Sequence, residues 1–158
     1  MGRARIFFYG DAILEIRVAT IEDAAGWLTM RLALWPYCKA SVSRVEMDTI
    51  LADPRQVALL AEDDELGLVG FAELSIHPHV DGCETNPVAY LEGWWVDARV
   101  RNRGVGRLLV EAAERWGRDQ GCQEIASDTW LDNDVSDRAH RALGFVESSR
   151  LIHYRKWL

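Results

Sequence analysis

The sequence is poor in several things that would have set its class. It has three cysteines, Cys38, Cys83 and Cys122, an odd number with no CxxC spacing. That excludes a disulfide framework and points to a reducing compartment. No stretch approaches the roughly 20 apolar residues of a membrane helix. Basic residues are outnumbered, 18 Lys and Arg against 25 Asp and Glu, for a net charge of −7. Such a balance argues against nucleic acid, which basic patches bind. It suits a cationic small molecule if the acids gather at one site, although acidic surface serves solubility alone in most proteins. No repeat or low-complexity segment occurs. His77-Pro78-His79 has no cysteine cluster beside it, so a loop or substrate-facing role is favoured over a metal site. Two arginines precede a short apolar run at the N-terminus, as in a signal peptide. The run is too short, Asp11 interrupts it and no cleavage site follows. The protein is therefore read as cytoplasmic, with residues 1–13 an N-terminal extension and 14–158 a single domain.

About half of the 158 residues are hydrophobic (49%), enough for one core. Alternation over 15–19 predicts a strand. Thr20 with Asp23 reads as a capping box opening a helix to about Leu34. Ser43 with Glu46 reads as a second box, for a helix ending at Asp53-Pro54. Residues 56–61 and 66–76 form a predicted hairpin around the turn Glu62–Glu65. Val88–Val96 is a long apolar run, the pattern of a strand buried on both faces. The clearest helix follows, with Val105, Leu108, Leu109, Ala112, Ala113 and Trp116 on one face. A strand at 124–127, a helix at 135–143 closed by Gly144, and one or two strands in 145–157 complete a mixed sheet flanked by helices, an α/β (α+β) arrangement.

Between the apolar strand and the amphipathic helix lies Arg101-Asn102-Arg103-Gly104-Val105-Gly106-Arg107. A helix N-terminus offers free N–H groups and partial positive charge to phosphate oxygens. Glycines admit close approach, and Arg101, Arg103 and Arg107 add charge. Neither GxxxxGK[ST] nor GxGxxG is present, so the P-loop and dinucleotide fingerprints are excluded. A basic loop that only caps a helix is the structural alternative.

Strand, Arg-x-x-Gly-x-Gly and amphipathic helix, with Asn133 opening a later helix and Leu143-Gly144-Phe145 closing it, resemble the acetyl-CoA site of the GNAT superfamily of N-acetyltransferases. Shorter segments resemble its aminoglycoside 6′-N-acetyltransferases of the chromosomal type: Leu34-Trp35-Pro36, Leu91-Glu92-Gly93, Arg115-Trp116-Gly117, Gly121-Cys122, Ala126-Ser127-Asp128-Thr129 and Tyr154-Arg155-Lys156. The resemblance implies a mostly antiparallel central sheet and acetyl-CoA as co-substrate with no metal. It also implies a polycationic aminoglycoside as acceptor, direct transfer without an acyl-enzyme, and a homodimer through the C-terminal strands. Glu92 and Asp128 match substrate-contacting positions, Trp35 an aromatic wall, and Asn133 a cofactor contact. A core role is the alternative for Trp35. His79 stands where the family has tyrosine.

Glu92 also stands out as a charge inside an apolar strand, costly to bury unless a substrate cation or an internal arginine pairs with it. It is the candidate base, with Asp128 as second base or anchor. Backbone N–H groups of Trp94, Trp95 and Val96 would pair with the pantetheine arm and polarise the thioester carbonyl. His140 occupies the place of a tyrosine acid of many GNAT enzymes, and Tyr154 is a less favoured substitute. Ser149 departs from an acidic residue near the cofactor. The competing readings are a GNAT enzyme for a polyamine, peptide or metabolite amine, and a non-catalytic acyl-CoA-binding module.

Overall fold

The structure is a computed structural model and describes residues 5–9 and 12–158. The expectations for residues 1–4, 10 and 11 lie outside the described residues. Among the described residues six strands form one sheet in chain order: β1 (Arg5–Tyr9), β2 (Ala12–Val18), β3 (Gln56–Asp63), β4 (Gly67–His77), β5 (Val88–Val96) and β6 (Ile125–Ser127). All neighbours are antiparallel except β5 and β6, which run parallel. Four helices flank it: α1 (Ala24–Leu34), α2 (Ala40–Ala52), α3 (Val105–Asp119) and α4 (Asp134–Ala142). The boundary expected at residue 14 falls inside β2, and residues assigned to the extension pair with that strand as β1. Among the described residues no helix is long and apolar enough to cross a membrane.

The sheet separates two cores. Alternate residues of β3, β4 and β5, such as Leu59, Ala72, Leu74 and Leu91, meet Leu109, Val110 and Ala113 of α3. The opposite residues, Ala58, Leu60 and Phe71, meet Trp27, Leu28 and Met30 of α1 and Met47 of α2. Period two in the strands and period 3.6 in the helices sort the chain into these layers.

Several helix signals act as expected. The Asp23 carboxylate accepts from the Thr20 N–H at 2.8 Å, and α1 ends at Leu34. Asp23 also takes two bonds from Arg17, and that guanidinium holds its pKa down at about 2. The second box does not form. The α2 helix starts three residues before Ser43, which is buried within it, and Glu46 instead holds Arg31 at 2.7 Å. A buried guanidinium outcompetes a cap for that carboxylate. The strands expected in 145–157 are also absent, as this stretch has no regular structure and its residues from Val146 onward are exposed.

Candidate active site

The register of β4 and β5 shifts at one point: Gly93 pairs Glu73, whereas Leu91 pairs Leu74. Glu92 is the extra residue, a β-bulge that turns its side chain out of the ladder. This corrects the expectation of a strand buried on both faces. The first half of β5 is buried, and the Glu92 side chain is 41% exposed. Within the chain its partners are Ser75 and His77 and no arginine. The Ser75 hydroxyl donates to Glu92 Oε1, and His77 Nε2 lies 2.9 Å from the same oxygen. His77 stacks on Tyr90 with ring centroids 4.7 Å apart. The Tyr90 hydroxyl bonds to Asp128, and burial, then the charge of Asp128, push its pKa up. One chain of contacts thus links the two acidic residues: Glu92, His77, Tyr90, Asp128. Ser75, His77 and Tyr90 were not singled out for this role by sequence. The signal available was their alternation with Glu73 and Glu92 on paired strands. His79 lies outside the chain of contacts, in the exposed loop after β4, with Nε2 3.4 Å from Asp81.

Strands β5 and β6 pair only from Ala89–Ile125 to Leu91–Ser127. Beyond that pair Glu92 lies on one strand and Asp128 just past the end of the other. The β5 edge from Glu92 to Val96 has no β6 partner, so its backbone groups face an opening. Trp94 packs toward α3 and Trp95 toward α1. His140 of α4 reaches the same point, its Nε2 3.1 Å from Ser127 Oγ. Trp35 lies across Gly93, with Arg31 5.1 Å from its ring and Phe71 edge-on at 6.1 Å. It is half-buried and packs against the α1-side core.

The Arg-x-x-Gly-x-Gly segment leads directly into α3. Gly104 precedes the helix at φ +86°, a left-handed conformation that favours glycine. The first intrahelical bond runs from the Leu108 N–H to the Gly104 carbonyl at 3.0 Å. The N–H groups of Val105, Gly106 and Arg107 therefore lack intrahelical partners, and no acid lies in the first turn. Arg101, Asn102, Arg103 and Arg107 are exposed around them, while the Val105 side chain is core. Arg101 Nε donates to the Val96 carbonyl at 3.0 Å, and Arg107 to that of Ala142 at 3.2 Å. The residues fit a pyrophosphate. Asn133 caps α4, its side-chain oxygen accepting from the Ser136 N–H at 3.1 Å. Tyr154 and Ser149 are exposed in the C-terminal stretch. Among the described residues no cluster of three or more metal-ligating side chains occurs.

Residues 27–145 match the model of the acetyltransferase (GNAT) family. Among curated relatives, aminoglycoside N(6′)-acetyltransferase type 1 of Serratia marcescens is 43% identical over 138 residues, covering 87% of this chain and 94% of that protein. The enzyme of the same name from Klebsiella aerogenes is 43% identical over 150 residues, covering 92% and 98%. Among solved structures, AAC(6′)-Iy in complex with the bisubstrate analogue CoA-S-monomethyl-acetylneamine superposes with a TM-score of 0.87 at 38% identity, covering 92% of this chain and 99% of that one. Family model, relatives and geometry agree that the chain belongs to the GNAT acetyltransferases, among the aminoglycoside N(6′)-acetyltransferases of type 1.

Proposed function

We propose that this chain transfers the acetyl group of acetyl-CoA to the 6′-amine of aminoglycosides, by direct attack with both substrates bound. The observation that carries the reading is the parting of β5 and β6, with Glu92 and Asp128 on its two sides and the α3 N-terminus beyond. Acetyl-CoA supplies an activated acyl group. The α3 amides with Arg101, Arg103 and Arg107 hold its pyrophosphate, and the open β5 edge from Trp94 to Val96 pairs with its pantetheine arm and polarises the acyl oxygen. The acceptor is a polycation, and two carboxylates fixed by Ser75, His77 and Tyr90 can orient it. Glu92, steadied by Ser75 and His77, takes the proton of the attacking amine through a water. Asp128, held by Tyr90, anchors a second ammonium group. Trp35 walls the acceptor side, and His140, hydrogen-bonded to Ser127, is the candidate source of the proton for the departing sulfur.

The test is thiol release from acetyl-CoA with kanamycin or tobramycin, against the same compounds with the 6′-amine blocked. Release requires the free 6′-amine, and Glu92→Gln lowers kcat by roughly 10²-fold or more, the scale of a lost general base. Release with spermidine alone would sink the acceptor assignment. The same reading makes the active form a homodimer, supported by the exposed Leu151, Ile152, Tyr154 and Trp157. It also places the protein in the cytoplasm, where its free cysteines stay reduced.

A further inference from the structure

We infer that the Ser127 hydroxyl delivers the proton to the departing thiolate, with His140 as the acid behind it. The inference rests on the transfer reaction proposed above and assigns one of its proton steps.

The hydrogen bonds around the His140 ring allow two states. Nδ1 lies 2.8 Å from the Ser136 carbonyl oxygen. A carbonyl can only accept, so Nδ1 carries a hydrogen in either state. The Ser136 hydroxyl, 3.2 Å from Nδ1, shares that hydrogen as a second acceptor. Nε2 is then the nitrogen that changes. It faces Ser127 Oγ at 3.1 Å, and Oγ lies 3.0 Å from the Leu91 carbonyl. While Ser127 donates to Leu91, Nε2 must donate to Oγ, and the ring is an imidazolium. When the ring is neutral, Nε2 is a bare acceptor and the hydroxyl turns its hydrogen toward it. One proton and one hydroxyl rotation separate the states. The ring is held edge-on by Trp94 at 5.8 Å and Phe145 at 5.2 Å, which fixes the direction of Nε2.

Position gives the pair its use. Leu91–Ser127 is the last pair of β5 and β6, and the chain continues from them to Glu92 and Asp128. Ser127 Oγ therefore stands at the mouth of the opening, with His140 behind it. As the acceptor nitrogen bonds to the acetyl carbon, the carbon–sulfur bond breaks and its electron pair stays on sulfur. The Ser127 hydrogen passes to sulfur and the Nε2 hydrogen passes to Oγ. His140 is left neutral with its hydrogen on Nδ1. The amine proton leaves by Glu92, and His140 regains one from solvent. From a neutral amine, the net exchange is one hydrogen from nitrogen to sulfur.

The experiment compares Ser127→Ala, Ser127→Thr, His140→Gln and Ser127→Ala/His140→Gln. Expected for Ser127→Ala is a loss in kcat of roughly 10²-fold, with KM for acetyl-CoA and CoA affinity by calorimetry within about twofold of wild type. Threonine keeps the hydroxyl and restores most of kcat. The double variant is no slower than the slower single one, as members of one relay are not additive. Nitrogen-15 NMR of the free wild-type protein, with the ring neutral, should show the hydrogen on Nδ1. Undiminished kcat in active Ser127→Ala, an equal loss in Ser127→Thr, multiplying losses in the double variant, or a neutral ring with its hydrogen on Nε2 would each overturn the relay. A wild type that turns over no acetyl-CoA with any amine overturns the transfer reading, and the relay with it.

Discussion

Glu73 is only 3% exposed, and it is the buried carboxylate that Glu92 was expected to be. Its Oε1 accepts from Trp27 Nε1 at 2.7 Å and lies 3.2 Å from Arg31 Nε. Arg31, itself 5% exposed, donates to the Ser43 carbonyl, pairs with Glu46 and covers the Trp35 ring. One buried pair thus locks α1 to β4 and α2 and seats the Trp35 ring. Sequence could not single it out. Glu73 reads as an ordinary polar residue of an alternating strand, and its partners lie on a helix whose distance from β4 depends on the tertiary fold. Glu92 was conspicuous for the opposite reason, since a bulge, set by the β4 register, removes it from the apolar ladder. Burial pushes the Glu73 pKa up, to about 7, against the pull of Arg31 and the Trp27 N–H. The sign follows by linkage. The unfolded carboxyl releases its proton near 4.5 and the folded one near 7, so the folded state binds more protons between them. This contribution is complete below about 4.5 and is lost as pH rises through 7, on the order of 3 kcal/mol in all. Asp23 and Asp97, held down at about 2 by Arg17 and Arg99, act with opposite sign in a lower window. Glu73→Gln keeps an oxygen for Trp27 and removes the titration. Thermal melts from pH 5 to 8 should show a slope in wild type that the variant lacks, and equal slopes would refute the assignment.

At the scale of the element, α3 was the most legible part of the chain. Its apolar stripe and its Arg-x-x-Gly-x-Gly approach are local features, and local features survive in sequence. Less legible was the use of each glycine. Gly104 is needed for its backbone conformation, whereas Gly106 is needed for space. A Cβ on Gly106 would lie 2.7 Å from Trp94 Cζ2, inside any normal contact. Trp94 in turn meets the His140 ring edge-on, so it cannot yield without disturbing α4. Gly106→Ala should therefore shift the first turn of α3 away from β5, at about 1–3 kcal/mol of stability. Acetyl-CoA affinity by calorimetry should fall by roughly tenfold or more, since the free N–H groups of that turn move with it. Glu92→Gln, on the acceptor side, should bind acetyl-CoA as wild type does. An alanine variant with undiminished acetyl-CoA affinity would show that Trp94 gives way and that the turn does not hold the pyrophosphate.

At the scale of the whole molecule, the sheet order runs with the chain from β1 to β6, so most of the fold was readable as successive hairpins and helices. The misreading lies at the end. Residues 145–157 alternate well enough to suggest strands, yet a strand exists only where another chain segment presents an open edge. The edge strand nearest it in chain order is β6, three residues long, and the C-terminal stretch does not pair with it. Leu151, Ile152, Tyr154 and Trp157 are left in water, each more than half exposed, and Trp130, Leu131 and Val135 are exposed as well. So much exposed apolar surface in one C-terminal stretch is what the proposed homodimer would cover. A second copy satisfies it most economically, because a two-fold pairing buries the same stretch from both chains. Removal of residues 148–158 should then convert a dimer to a monomer of reduced thermal stability. Sedimentation at micromolar concentration decides this. The full chain should run at twice the mass of a 17.9 kDa protomer and the shortened one at its own mass. A full-length chain that stays monomeric, or a shortened chain that still dimerises, would remove the C-terminal stretch from the interface.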